Sequence, residues 1–311
     1  MPLVAAYTGI YLVWGSTYLA VRVGLETMPP FGMLAVRFLV AGSLLYAWAR
    51  ARGAPRPTRD EWKAAALLGL FLVGFGGGAL AWAEQRVTSS VAALLVATEP
   101  LWIVLLAWRR PGGTRPTPRV LVGLGLGLVG VAVLVASPTG PSAAGAPAGY
   151  GPDAGARAVD PLGAAVVLFG AVAWAVGALW PGRARLAASA PLATAMQMLV
   201  GSALFAAASV LSGEPLGAAA ATVSLRSVAA LAYLVVFGSL CGFTSFVWLM
   251  AVEPPARVAT YAFVNPVVAV LLGCVLADEP VGWPLLVGGP IIVGAVILLV
   301  ATARGPRTRD A

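Results

Sequence analysis

The chain has 311 residues, 60% of them hydrophobic and only 10% charged, with a mean hydropathy of +0.90. A soluble domain carries roughly a quarter charged residues, and a chain this apolar cannot cover its own core in water, so its solvent is lipid. The net charge of +8 and the pI near 10.2 do not indicate nucleic acid, because the basic residues sit in short loops between apolar runs, where they set topology.

Ten runs approach the ~20 apolar residues needed to cross about 30 Å of hydrocarbon. They cover about 4–21, 31–49, 62–82, 88–108, 120–137, 162–180, 191–211, 227–250, 258–277 and 284–303. The alternation of a transmembrane strand is absent, and helices satisfy their own backbone inside lipid. The expected fold class is therefore an all-α integral membrane protein with ten transmembrane helices. The first run has no basic leader and no small-residue cleavage site, so it reads as a retained helix.

Taken along the chain, helix 1 carries Trp14 well inside the bilayer, and helix 2 carries Arg37. A membrane arginine faces a cavity, pairs with an acid or snorkels to the surface. Helix 3 holds Gly74–Gly78 and ends on Trp82, suited to an interfacial belt. Helix 4 places Glu99 about twelve residues in, followed by Pro100. Ionisable groups at such depth are functional candidates by default, and Glu99 reads either as a cavity carboxylate for a cation or proton or as a structural partner of Arg37. Helix 5 contains Gly125-Leu-Gly127-Leu-Val-Gly130, which matches a dinucleotide fingerprint in letters only, since no strand precedes it. Small-residue helix packing is the better account.

The stretch 138–160, rich in Pro, Gly, Ala and Ser, reads as a flexible external linker. Beyond it, helix 6 carries Trp174, helix 7 carries Gln197, and helix 8 carries Gly238, Cys241, Gly242 and Trp248. Helix 9 carries Tyr261 and, one turn later on the same face, Asn265, the single Asn of the chain, followed by Pro266. Pro100 and Pro266 are each expected to kink their helices. Cys241 and Cys274 lie in separate apolar runs and the chain has no His, so neither a disulfide framework nor a Cys/His metal site is expected and no cofactor is implied.

Of the 20 basic residues, fifteen fall on one side: Arg50 to Lys63, Arg109 to Arg119, Arg183, Arg185, Arg257 and the tail arginines 304, 307 and 309. The opposite loops hold Arg22, Arg86, Arg157 and Arg226. Basic residues favour the cytoplasm, which places both termini there in a multi-pass protein of the cell membrane.

Rare residues disclose a repeat. At an offset of 160, Trp14 meets Trp174 and Arg37 meets Gln197; at 166, Trp82, Glu99 and Pro100 meet Trp248, Asn265 and Pro266; at 164, Gly125 and Gly130 meet Gly289 and Gly294. Five helices per repeat make the second half enter from the opposite face, the inverted-repeat plan of secondary transporters. The units are residues 1–137, the linker 138–160, residues 161–303 and a tail 304–311.

The chain resembles the drug/metabolite transporter superfamily in its EamA-domain branch. The resemblance rests on Trp14-Gly15-Ser16-Thr17, Arg37-Phe38, Asn265-Pro266-Val267-Val268, Asp278-Glu279-Pro280 and the glycines of helix 10. It departs from the family pattern at Trp108-Arg109-Arg110, where the first repeat lacks a counterpart of Glu279. The resemblance implies a secondary transporter that exports amino acids or related small metabolites, with protons the candidate coupling ion. The expected substrate-binding residues are Trp14, Ser16, Arg37, Glu99, Trp174, Gln197, Tyr261 and Asn265, with no catalytic residue. The competing classes are a membrane-embedded lipid-modifying enzyme, for which no catalytic constellation is visible, and a non-transporting scaffold or channel.

Overall fold

A computed structural model describes residues 2–83, 86–87, 92, 95–110, 112–113, 115–135, 160–180, 189–214, 222–276 and 283–302. Arg157 and nearly all of the linker, Arg183 and Arg185, Asp278-Glu279-Pro280 and the tail lie outside the described residues. Every described regular element is helical: α1 Leu3–Leu25, α2 Pro30–Ala51, α3 Arg59–Ala83, α4 Glu99–Trp108, α5 Pro118–Val135, α6 Pro161–Ala178, α7 Ala190–Leu211, α8 Leu225–Val252, α9 Tyr261–Leu276 and α10 Trp283–Thr302, with a single turn at Pro255–Val258. Six of these, α1, α2, α3, α6, α7 and α8, are long and apolar enough to cross a membrane; α4, Pro118–Gly130 and Leu286–Leu299 are shorter apolar helices.

Helix starts follow local chemistry. Thr58 and Glu61 form a reciprocal capping box at α3. Asp160 accepts from the N–H groups of Leu162 and Gly163 at 2.8 and 2.9 Å to begin α6. The Gly163 N–H, the neighbouring Leu162 N–H and the guanidinium of Arg86 hold its carboxyl below the ordinary aspartate value. The start of α2, Pro29-Pro30, has no side-chain cap of its own. Glu214 supplies one, accepting from Phe31 N at 2.9 Å and Gly32 N at 2.8 Å. It reaches them because Gly213, at φ 70°, turns the chain back at the end of α7.

That contact sets the end of α7 against the start of α2, so the two run antiparallel. Gly42 brings them close: a Cβ there would meet Leu199 N and the Leu199 side chain at about 3 Å. Helices α5 and α10 are also antiparallel, with Gly123 against Leu299 and Gly130 against Ile292. Helix α1 runs antiparallel to α8, from Tyr7 at Glu253 through Trp14 at Gly238 to Val23 at Ser227. Helix α6 runs antiparallel to α3, from Gly163 at Val87 to Gly177 at Leu72. Two bundles result: α1 with α8 and α9, and α6 with α3 and α4. The near end of the molecule is where α1 begins; the far end is where α1 ends and α2 begins.

The seam between α6 and α3 gives a stability test. A Cβ at Gly170 would lie 2.9 Å from Ala79 Cβ and 3.3–3.4 Å from the carbonyl oxygens of Gly76 and Phe75. Backbone cannot swing aside, and overpacking costs about 1–3 kcal/mol. Gly170→Val is expected to lower the melting temperature in detergent. Gly125→Ala, with nothing within 4 Å, is expected not to lower it and to raise it slightly, since alanine favours a helix interior over glycine. Equal melting of the two variants would contradict this seam.

Three helices carry π-helical stretches: Gly9–Val13 in α1, Gly69–Gly77 in α3 and Leu234–Phe243 in α8. Such stretches widen the helix, free carbonyl oxygens and recur at functional sites. The offset of 166 carries Gly69–Gly77 onto 235–243, nearly the whole stretch in α8. The offset of 160 carries Gly9–Val13 onto 169–173, which is plain α-helix.

Helix 4 differs from expectation. The chain makes a turn at Ala97 and Thr98, and α4 begins at Glu99. Pro100 therefore sits in the first turn, where its missing N–H is no loss, and it does not kink a continuous helix. Pro266 does lie inside α9. Cys241 is an exposed thiol on α8 and not a buried core residue.

Candidate functional site

A cavity of about 170 Å³ lies between the two bundles, room for on the order of ten waters. Six of the eight expected site residues line it: Trp14, Arg37, Glu99, Trp174, Tyr261 and Asn265. Val21, Leu34, Leu80 and Val167 continue the walls towards the far end.

The floor is aromatic. The Trp14 ring meets Tyr261 edge-on at 5.0 Å, Trp174 at 5.8 Å and Phe246 at 5.4 Å. Trp174 lies 6.2 Å from Phe243 and 5.2 Å from Phe246. Trp14 is placed by the π stretch of α8: its Nε1 donates to Gly238 O at 3.0 Å. Gly242 leaves room for the indole, since a Cβ there would run into it. The matched Trp174 Nε1 is buried with no acceptor.

Glu99 is buried, at 7% exposure, as the first residue of α4. The Tyr261 hydroxyl donates to its Oε2 at 2.6 Å. The freed N–H groups and dipole of a helix start favour a carboxylate there. Arg37 does not bridge to it. Its Nε donates to Ser239 Oγ at 2.9 Å, and its guanidinium lies 5.0 Å from the Phe38 ring. Gly238 makes the space: a Cβ there would come within 2.7 Å of Arg37 Nη2. Arg37 thus reaches across to α8 and lines the cavity, which sets aside both the structural pair with Glu99 and surface snorkelling.

Asn265 lines the cavity, but its amide serves the protein. With the amide oriented as its neighbours require, Nδ2 donates to Ile10 O at 3.1 Å and to Tyr11 O and Tyr261 O at 3.2 Å. Two of those carbonyls belong to the π stretch of α1. Tyr11 and Thr260 hydroxyls meet at 2.6 Å, so α1 is fastened to the start of α9.

Gln197 and Ser16 do not line the cavity. Gln197 is 1% exposed, and its Nε2 donates to Ala193 O at 3.1 Å. Its match to Arg37 holds by position along the helix, but α7 runs opposite to α2. Gln197 therefore lies towards the near end, away from the cavity's walls. Ser16 donates to Val13 O at 2.7 Å and meets Tyr233 Oη at 2.6 Å, on the α8 side of α1. Trp82 stays at a helix end, with the Arg86 guanidinium 4.6 Å from its ring.

Thr17, Phe38, Gly238, Ser239, Phe243 and Phe246 are not among the expected site residues, although Thr17, Phe38 and Gly238 stand in motifs or apolar runs noted for other reasons. Phe243 and Phe246 carry no signal in an apolar run. The pair Gly238-Ser239 acquires its role from a π stretch that no periodicity marks.

Apolar helices around a cavity with a buried acid, a guanidinium and an aromatic floor define a multi-pass membrane transporter. The chain belongs to the EamA-like transporter family, whose profile matches twice, at residues 4–136 and 161–301. It is 36% identical to the uncharacterized inner membrane transporter YedA of Escherichia coli (strain K12) over 300 residues, covering 96% of this chain and 90% of that protein. It is 23% identical to the uncharacterized transporter YvbV of Bacillus subtilis (strain 168), covering 93% of this chain and 88% of that one. A solved protein crystal structure shares the fold with a TM-score of 0.74 at 24% identity, covering 99% of this chain and 98% of the other.

Proposed function

We propose that the chain is a secondary active transporter of the cell membrane, working by alternating access of two inverted five-helix repeats, residues 1–137 and 161–303. Its cargo is an amino acid or related small metabolite moved outward, with protons the coupling ion. Residues 138–160 link the repeats outside, and both termini, including the tail 304–311, are cytoplasmic. The far end of the cavity is then the external one. Arg37 takes an anionic group of the cargo, Glu99 a cationic group or a proton, and Trp14 and Trp174 the apolar part.

The observation that carries this reading is the inequivalence of two matched tryptophans. Trp14 Nε1 is bonded to Gly238 O, while the Trp174 Nε1 is buried without an acceptor. Two like halves in unlike environments are what an alternating inverted repeat produces, since each conformation makes one half's contacts and breaks the other's. The antiparallel pairs α2–α7 and α5–α10, and the paired π stretches of α3 and α8, support the same relation. The amino-acid class rests on the family resemblance.

The test is flux. Purified protein in proteoliposomes should move one of a panel of amino acids in a saturable way, faster when a proton gradient opposes the cargo's direction. Absence of saturable flux for every compound in a small-metabolite panel would overturn the transporter reading. Topology is tested separately. Reporter fusions after Arg110 and at Gly149 should lie on opposite sides of the membrane, Arg110 inside, as the fifteen-to-four split of basic loop residues requires. The same side for both would overturn the ten-span count.

A further inference from the structure

The two bundles meet at the cavity floor, and a polar contact crosses between them there. Tyr261 belongs to the bundle of α1, α8 and α9; Glu99 belongs to the bundle of α3, α4 and α6. Their hydroxyl–carboxylate hydrogen bond is short, at 2.6 Å, and both residues are buried. Leaving a buried donor or acceptor without its partner costs about 1–3 kcal/mol, so the contact is not given up freely.

This contact has no counterpart in the matched half. The offset of 166 that carries Glu99 onto Asn265 carries Leu95 onto Tyr261. Leu95 offers neither donor nor acceptor, and the Asn265 amide is engaged by Ile10 O, Tyr11 O and Tyr261 O. A conformation that exchanged the two halves would therefore find no acid–phenol pair to close the other end. The α1 π stretch is equally one-sided. Its ties to α9, Tyr11 to Thr260 and Asn265 to Ile10 and Tyr11, lie within one bundle. They make α1 and the start of α9 move as a piece, so that parting Tyr261 from Glu99 parts the bundles.

We propose that Tyr261 is a gating residue, and that its hydrogen bond to Glu99 is a one-sided latch holding the transporter closed at the near end. The proposal rests on the alternating-access reading above. A cationic group of the cargo that docks on Glu99 loads the same carboxylate and weakens its hold on Tyr261, so binding at the floor is coupled to opening. Symmetric halves would weigh the two conformations alike; the latch biases the resting protein towards the far-open one.

The experiment reads opening directly. Ala178, at the near end of α6, is 1% exposed. In a Cys241→Ser, Cys274→Ser background, Ala178→Cys should label slowly with a polar maleimide. Adding Tyr261→Phe is expected to raise the labelling rate about fivefold or more, the range for leaving a buried acceptor without its donor. Adding Glu99→Leu should do the same, and Glu99→Gln, which keeps a neutral acceptor, should give a smaller rise. Tyr233→Phe, which removes a phenol from the far half of α8, should give none. Each variant is carried forward only as a monodisperse protein in size-exclusion chromatography. Unchanged labelling in a folded Tyr261→Phe variant, or an equal rise in Tyr233→Phe, overturns the latch. A labelling rise in a protein that moves no compound overturns the transport reading and leaves the latch standing; saturable flux with no rise does the reverse.

Discussion

Glu99→Gln is expected to cut cargo flux at least about tenfold while leaving the protein folded in the membrane. Glutamine is nearly isosteric with glutamate and still accepts a hydrogen bond from Tyr261, so the contact seen at 2.6 Å survives in weaker form. What it loses is the charge. A hydrogen bond to a charged group is worth about 1.5–3 kcal/mol, so removing the anion from the floor should cut flux at limiting cargo by roughly tenfold to 150-fold, and to background if Glu99 also carries the proton. The second arm is the double variant. A structural Glu99–Arg37 bridge would let Glu99→Gln with Arg37→Gln recover what each single change loses. Arg37 is bonded to Ser239 instead, so the double variant should stay as inactive as the single one. Full flux with unchanged proton dependence in Glu99→Gln would remove Glu99 from the mechanism, and recovery in the double variant would restore the bridge.

The parts of this site that the sequence disclosed are those that are expensive in lipid. Arg37, Glu99 and Asn265 stand out because a charged or amide side chain in an apolar run requires a cavity or a partner. Trp14 and Trp174 stand out because a rare residue repeated at one offset is improbable by chance. Tyr261 followed from its place one turn before Asn265. The repeat misled at Gln197, because equivalence along the chain is not equivalence in depth once α7 runs opposite to α2. The break before α4 had a legible signal: Pro100, just inside the start of an acidic first turn, is a helix-start mark as much as a kink. A continuous apolar run from 88 to 108 outweighed it. Nothing marked the π stretches. Their glycines, like Gly130 of α5, read as packing, and Gly74 and Gly130 do pack against neighbouring helices, whereas Gly238 and Gly242 make room for Arg37 and Trp14. The amide of Asn265 was spent on the carbonyls of a widened α1, a use that cannot be foreseen without knowing that α1 widens.

Arg37 sets the second large effect. Its Nε is fixed by Ser239, no carboxylate pairs with it among the described residues, and it lines the cavity. A guanidinium held by one edge keeps its other N–H groups in the planar fork that binds a carboxylate or phosphate through two oxygens. Arg37→Gln should therefore weaken binding of a cargo that carries an anionic group by about tenfold to 150-fold, the equivalent of 1.5–3 kcal/mol for a charged hydrogen-bonded contact. The uncharged amide of the same cargo, which has no anion to lose, should bind wild type and variant within about twofold. Arg37→Lys should recover part of the difference, because an ammonium restores the charge but not the fork. Ser239→Ala, which frees Nε but keeps the cation, should cost less than Arg37→Gln. Quenching of intrinsic tryptophan fluorescence reads these affinities, since Trp14 and Trp174 line the same cavity. Acid and amide forms weakened equally by Arg37→Gln would make Arg37 a structural residue, and no weakening of either would take the anionic group of the cargo elsewhere.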